Sequence, residues 1–449
     1  MSAVDMRTGS SGAQGTSGGP ARPRPRSGRV LRTELIRGIG PATGAVIAAV
    51  VCIAMFAKAP AWQSRWTDTT DLLRIAGLLL GGPLAAAAGC RQGSRDRRPA
   101  LRDLLATTPR PALRRTLLAA APAVVWPVAG YLLAAVVSLL ATLPFAGYGH
   151  PFGTLLLADA VALGAIGLLG FVVGRLASWR LLPLLVAVIT YVVLGLPSYL
   201  TGDARWLGPV QEHTFAWDRP QWWFGPASAV WTAGLAAAAL LALAARRRAT
   251  AVIPLALAVA AAVPVARTGD GLWRPDPGAA RPVCDTEVPK VCVSAADSRA
   301  LAAVSRALAG ARGQLRGVPG APTRWVEGPA PLGPHDARLA DLGDEMRHGA
   351  LRDPARYAHN AVANLFVRDC PADTGGDDAA AAAAASRAYD VDGAVVQWLA
   401  PQPGFDDMNG EGARTVLRHL RAMDAAEGRA YLTRYLGADR CDLKAVPVP

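Results

Sequence analysis

Charge is scarce in this 449-residue chain: 18% of its residues are charged and 6% aromatic, while 52% are hydrophobic. Water-soluble domains run near ~25% charged, so the composition argues against a soluble enzyme of the two or three domains that the length suggests. The short motifs of common chemistries are missing as well. There is no GxxxxGK[ST], so the chain cannot hold ATP in the P-loop manner. No CxxC spacing points to zinc, and HExxH is absent. No GxSxG stands between a strand and a helix, and no paired catalytic His/Cys signature occurs. The chain is therefore not expected to be an enzyme or to carry a cofactor or metal. Glu345 and His348 have the i, i+3 spacing of carboxylate-bridged metal sites, but no second such pair accompanies them. His359 and Asn360 read as packing and capping groups.

An apolar leader is also lacking at the start of the sequence. Residues 1–30 are rich in Gly, Ser, Pro and Arg and read as a disordered, basic cytoplasmic tail. Residues 30–37 can form a short amphipathic helix, with Leu31, Leu35 and Ile36 opposite Arg32, Glu34 and Arg37.

What the chain has in abundance is long apolar runs. About 20 residues cross ~30 Å of hydrocarbon, and seven stretches qualify: Ile39–Ala57, Leu72–Gly89, Thr116–Leu143, Thr154–Gly174, Leu181–Leu200, Ala227–Ala245 and Thr250–Ala266. Gly81-Gly82-Pro83 is expected to kink or break the second. The seventh is short and contains Pro254 and Pro264. Asp159 is an acidic residue inside an expected span and a candidate for the translocation path. It lies near the span's outer end, where water is expected to reach it.

The arginines set the orientation. Segments 1–38, 90–115, 175–180 and 246–248 carry net charges of +5, +6, +2 and +3, together more than the +13 of the whole chain. The alternating segments 58–71, 144–153 and 201–226 are neutral or −1. The positive-inside rule places the N-terminus in the cytoplasm and, after seven spans, residues 267–449 outside it. Basicity here reports topology, and nucleic acid is not an expected partner. The Trp residues fit the same picture: Trp206, Trp217, Trp222 and Trp223 crowd the outer loop 201–226, which is expected to lie on or dip into the outer leaflet.

Residues 267–449 read as a soluble domain. They hold 22 basic and 24 acidic residues and four of the six cysteines: Cys284, Cys292, Cys370 and Cys441. In an exported domain these read as disulfides. Three pairings are open, and Cys284–Cys292 with Cys370–Cys441 is favoured because Val288-Pro289 can turn a local hairpin. Expected elements are a helix capped by Ser294 and running through Arg312, a strand at Thr323–Glu327, and helices at Pro354–Val367, Asp377–Tyr389 and Gly410–Met423. Asp424 with Glu427 forms a capping box opening the last helix, to Leu436.

The loop 90–115 suggests a partner. Leu101, Leu104 and Leu105 share one face of a short helix, with Arg102 and Asp103 opposite. The run Asp103-Leu104-Leu105-Ala106-Thr107-Thr108-Pro109, followed by Arg114-Arg115 and a third span, resembles the first cytoplasmic loop of ABC-2-type permeases. The likeness covers residues of about 30–248. It implies that Leu101, Arg102, Asp103, Leu104 and Leu105 form a coupling helix docking on a separate ATPase subunit, and that residues 31–37 form a connector helix. It also implies short re-entrant helices between the last two core spans, where the Trp-rich loop falls. That family often has Glu where Asp103 stands, and the seventh span and the tail are additions to its minimal form.

The expected architecture is an all-α polytopic membrane protein of six plus one transmembrane helices with a mainly helical α+β extracytoplasmic domain. Its parts are the tail 1–30, a six-helix permease-like domain 31–248, a seventh helix 249–266 and the domain 267–449. The expected function is the membrane subunit of a bacterial ABC exporter in the cytoplasmic membrane, working as a homodimer or heterodimer. The alternative is a membrane-anchored receptor without transport activity.

Overall fold

A computed structural model describes residues 32–33, 35–36, 38–95, 112–177, 179–211, 213, 216–245, 247–328, 332–343, 345–367, 379–404, 410–439 and 441–449. The sequence-based coupling helix, Leu101–Leu105, lies outside these residues, as do Cys370 and the tail 1–30.

Seven helices are long and apolar enough to cross a membrane: α1 (Gly40–Ala57), α2 (Trp66–Arg95), α3 (Ala112–Thr142), α4 (Gly153–Leu176), α5 (Leu182–Tyr199), α6 (Phe224–Ala244) and α7 (Arg248–Leu272). They are compatible with a membrane location. The expected break in the second span does not occur. Helix α2 runs through Gly81-Gly82-Pro83, and its irregularity lies one turn earlier, as a π-helical stretch at Ala76–Leu80. Pro83 can neither donate to the carbonyl four residues back nor leave it room, and the wider π turn contains that carbonyl.

Glycines decide which helices touch. A Cβ at Gly89 would overlap the Gly167 carbonyl, and one at Gly93 the Phe171 carbonyl. From the other side, Gly170 and Gly174 abut the carbonyls of Ala86 and Cys90. Helices α2 and α4 therefore meet backbone to backbone, the usual way in which small residues hold apolar helices together. Gly130 packs in the same way on Gly44, joining α3 to α1. By contrast, α5 leaves Leu184, Val188, Val192 and Val193 exposed, as a face meeting hydrocarbon would.

The bundle has two unlike ends. Arg95, Arg175 and Arg247 belong to one, where Arg175 Nη2 donates to Thr116 Oγ1 at 3.4 Å. Loops 58–65, 143–152 and 200–223 belong to the other, and the C-terminal domain rests on them. Strand β1 (Asp218–Pro220) pairs antiparallel with β2 (Trp273–Pro275), tying the loop before α6 to the chain leaving α7. The Arg299 guanidinium donates to the Pro144 carbonyl, and Phe145 packs against His348 at 5.1 Å.

The C-terminal domain is built on a four-stranded sheet in the order β3 (Pro282–Cys284), β4 (Lys290–Ser294), β5 (Arg324–Val326), β6 (Asp336–Arg338). The first pair is antiparallel and the other two are parallel. Between β4 and β5 the chain crosses over through α8 (Leu301–Ala307) and α9 (Ala309–Leu315). A hairpin, β7 (Met346–Arg347) with β8 (Ala350–Leu351), precedes α10 (Pro354–Leu365), α11 (Ala379–Leu399), α12 (Glu411–Ala422) and α13 (Ala425–Gly437). Val291, Trp325, Tyr357, Val395, Leu420 and Tyr431 meet in the core.

Several expectations need correction. The single helix from Ser294 to Arg312 is a 3-10 turn followed by two short helices. The Ser294 hydroxyl donates to Asp297 Oδ2 at 3.0 Å and caps no amide. Helix α11 continues ten residues past Tyr389, because Ala384, Ala388, Val391, Val395 and Leu399 form one buried stripe. The strand within Thr323–Glu327 and the Asp424–Glu427 capping box are both present. Cys284 and Cys292 are joined across the β3–β4 hairpin. Cys441 is also disulfide-bonded, and Cys52 and Cys90 are free.

Candidate functional site

Two buried arginines mark the start of α2. Arg65 stands just before its first residue, and the domain end of the bundle brings the C-terminal domain down upon it. Its Nε donates to Asp297 Oδ1 at 2.7 Å and its Nη2 to Glu327 Oε1 at 3.3 Å. Asp341 and Asp68 lie at 3.7 and 3.8 Å. The carboxylates are held from behind: Ser294 donates its hydroxyl to Asp297 and its amide to Glu327 Oε2, at 3.0 and 2.8 Å. Burial pushes the Glu327 carboxyl well above the usual carboxylate range, and the neighbouring Asp297 charge adds to the rise. Position 297 lies in the 3-10 turn after β4 and position 327 follows β5, so adjacent parallel strands aim both acids at one guanidinium.

Arg74 lies within the apolar part of the bundle. Its Nε is 2.8 Å from the Pro209 carbonyl and 3.2 Å from Asp159 Oδ1, and its guanidinium sits over the Phe224 ring at 5.3 Å. The Tyr131 hydroxyl donates to Asp159 Oδ2 at 3.4 Å. Nη1 of Arg74 is buried with no hydrogen-bond partner among the described residues. Asp159 is 1% exposed, which overturns the expectation that water reaches it. The cause is the loop before α6. It folds into the bundle as a 3-10 turn at Asp203–Leu207, places Val210 in the helical core and closes over the pair. Arg74 was the partner that sequence reasoning missed. The signal was available, since position 74 falls inside the expected span Leu72–Gly89.

Beside the Arg65 cluster a cavity of about 310 Å³ opens between the bundle and the C-terminal domain. Trp66, Tyr148, Phe152, Asp218, Trp222 and Asp276 are among its walls. His213 Nε2 is 3.0 Å from Asp218 Oδ2, and the ring stacks on Trp273 at 4.1 Å. Burial lowers the pKa of His213 despite the attraction of Asp218, which favours the neutral ring.

The other sequence candidates are engaged elsewhere. Glu345 accepts two bonds from Arg356 Nη2, at 2.8 and 3.0 Å, and His359 Nδ1 lies 3.1 Å from the Ala400 carbonyl. Among the described residues no group of three His, Cys, Asp or Glu could hold a metal ion. No protein-family model, curated protein or solved structure matches the chain.

Proposed function

We propose that this chain is the membrane subunit of an ABC-type exporter, lying in a bacterial cytoplasmic membrane with its N-terminus inside and residues 267–449 outside. The observation that carries the reading is the loop between α5 and α6, folded into the bundle so that the Pro209 carbonyl meets Arg74 and Val210 joins the core. The resemblance to ABC-2-type permeases calls for a re-entrant segment at this place. A buried ion pair supports the same reading, since ionisable groups inside a helical bundle cost several kcal/mol of desolvation and cluster on transport paths. The arginine-bearing ends of the helices gather opposite the C-terminal domain, in keeping with the positive-inside orientation.

In this account a separate ATPase supplies the energy and docks at Leu101, Arg102, Asp103, Leu104 and Leu105, in a homodimer or heterodimer of permease subunits. Its cycle alternates access across the bundle. Rigid glycine contacts carry α2 and α4 as one body, and Arg74 and Asp159 sit on those two helices. Leu104→Glu tests the docking directly. A charge forced into an apolar groove costs several kcal/mol, so the variant should insert normally but lose the ATPase on co-purification. Arg102→Ala, on the opposite face, is the milder control and should retain more of the ATPase than Leu104→Glu. Equal recovery of the ATPase with Leu104→Glu and wild type would reject the coupling role. A receptor or anchor would show no ATPase association in either case.

A further inference from the structure

We propose that the cavity between the bundle and the C-terminal domain binds an organic cation with an apolar body. Its role as the exporter's cargo site rests on the function proposed above, whereas binding itself does not. At about 310 Å³ the space is in the range of small-ligand sites. Trp66, Tyr148, Phe152 and Trp222 supply four aromatic walls from three parts of the chain: the start of α2, the loop before α4 and the loop before α6. Aromatic faces attract cations through their quadrupoles, most strongly where water is excluded.

The charges point the same way. Arg65 borders the cavity, but Asp297, Asp341 and Asp68 lie 2.7, 3.7 and 3.8 Å from it, with the Glu327 carboxyl at 3.3 Å. Its charge is compensated before any ligand arrives. His213 behind Asp218 is favoured in its neutral form, so it does not cancel that carboxylate. Asp276 accepts one bond through Oδ1, from the Gly278 amide at 2.9 Å. Asp218 and Asp276 thus face the solvent-exposed Arg219 as the only full charge opposing them among the described wall residues besides Arg65.

An anion is disfavoured for a further reason. Two helices start at the cavity, and neither offers a free amide cluster. The Gly153 amide donates to Pro151 at 2.9 Å and the Leu155 and Leu156 amides to Phe152 at 3.0 and 3.1 Å. The first turn of α2 carries Asp68, which offsets the positive end of the helix.

The test is calorimetric titration of the full chain in maltoside micelles with benzyltrimethylammonium. Benzenesulfonate and benzyl alcohol serve as the anionic and neutral probes of similar shape. The cation should bind, with the other two weaker by about tenfold or more, because both the carboxylates and the aromatic faces select for positive charge. The double variant Asp218→Asn with Asp276→Asn should lose about tenfold in affinity for the cation. Trp222→Ala, at an exposed position that carries little of the fold, should lose several-fold, and Trp179→Ala at the arginine end should lose nothing. The proposal is overturned if the cation fails to bind, if benzenesulfonate binds equally well, or if the Asp and Trp222 variants retain wild-type affinity. Any of those results would leave the ATPase co-purification, and so the exporter reading, unaffected.

Discussion

Arg65, just before α2, and Arg74, within it, are both almost fully buried, yet they are held in opposite ways. Arg65 meets carboxylates from the C-terminal domain, and those carboxylates are themselves anchored by Ser294. Among the described residues Arg74 has one carboxylate, one carbonyl and an aromatic face, and one of its nitrogens is buried without a partner. The first arrangement joins two folded bodies and leaves little slack. The second is under-satisfied, with a buried donor left unmatched among the described residues. The difference teaches that burial alone does not say how firmly a charge is held. What separates the two is whether every donor and acceptor already has its match.

The comparison can be broken most forcefully at Arg65. Arg65→Ala leaves Asp297 and Glu327 buried with no counter-charge, and breaking a buried ion pair costs about 3–5 kcal/mol. Thermal unfolding of the full chain should show this loss, with the C-terminal domain becoming sensitive to protease before the bundle. Arg74→Ala strands a single carboxylate, and its cost should lie near the lower end, about 3 kcal/mol. On the exporter reading proposed above, transport should nonetheless suffer more from Arg74→Ala than from Arg65→Ala, once each is normalised to folded protein. Equal transport defects would erase the distinction drawn between the two sites.

Next in size is the glycine contact that carries Arg74 and Asp159 together. Gly174→Val would push its side chain into the Cys90 carbonyl, with an overpacking cost of about 1–3 kcal/mol. Glycine replaced by alanine at Gly153, which has nothing within 4 Å, is the matched control and should be neutral. Both are read as the yield of monodisperse protein from membranes.

The smallest effect is expected at Glu327, and its sign is informative. Because its carboxyl is pushed upward in the folded protein, its contribution is fully present below the ordinary glutamate range and is lost as pH rises through the folded value. The clasp should therefore weaken as pH is raised. Glu327→Gln mimics the protonated acid, so it should change stability by less than about 1 kcal/mol at low pH and flatten the pH dependence. Unfolding temperatures measured across the pH series check both points. An unchanged pH slope in Glu327→Gln would assign the titration to another group.

Much of this fold was legible in the residues, and the reasons for the rest are physical. Seven apolar runs marked the helices because hydrocarbon demands about 20 such residues per crossing. Capping at Asp424 was readable since its partners are three residues apart. The sheet was harder: its strands are three to five residues long, and the parallel pair β4–β5 brings together segments separated by two helices. The site was half visible. Asp159 drew attention as a lone charge, but its partner was overlooked, and its burial depends on a loop some fifty residues further along. The Arg65 clasp was out of reach, because it joins residue 65 to residues 297 and 327 and no local pattern connects them.

The account as a whole depends on which end of the bundle faces out, and two single cysteines decide that. His150→Cys is placed at the exposed loop beneath the C-terminal domain, and Arg247→Cys at the arginine end. A membrane-impermeant maleimide applied to intact protoplasts should label His150→Cys and reach Arg247→Cys only after lysis. Labelling of Arg247→Cys from outside, with His150→Cys protected until lysis, would invert the topology and contradict the exporter account.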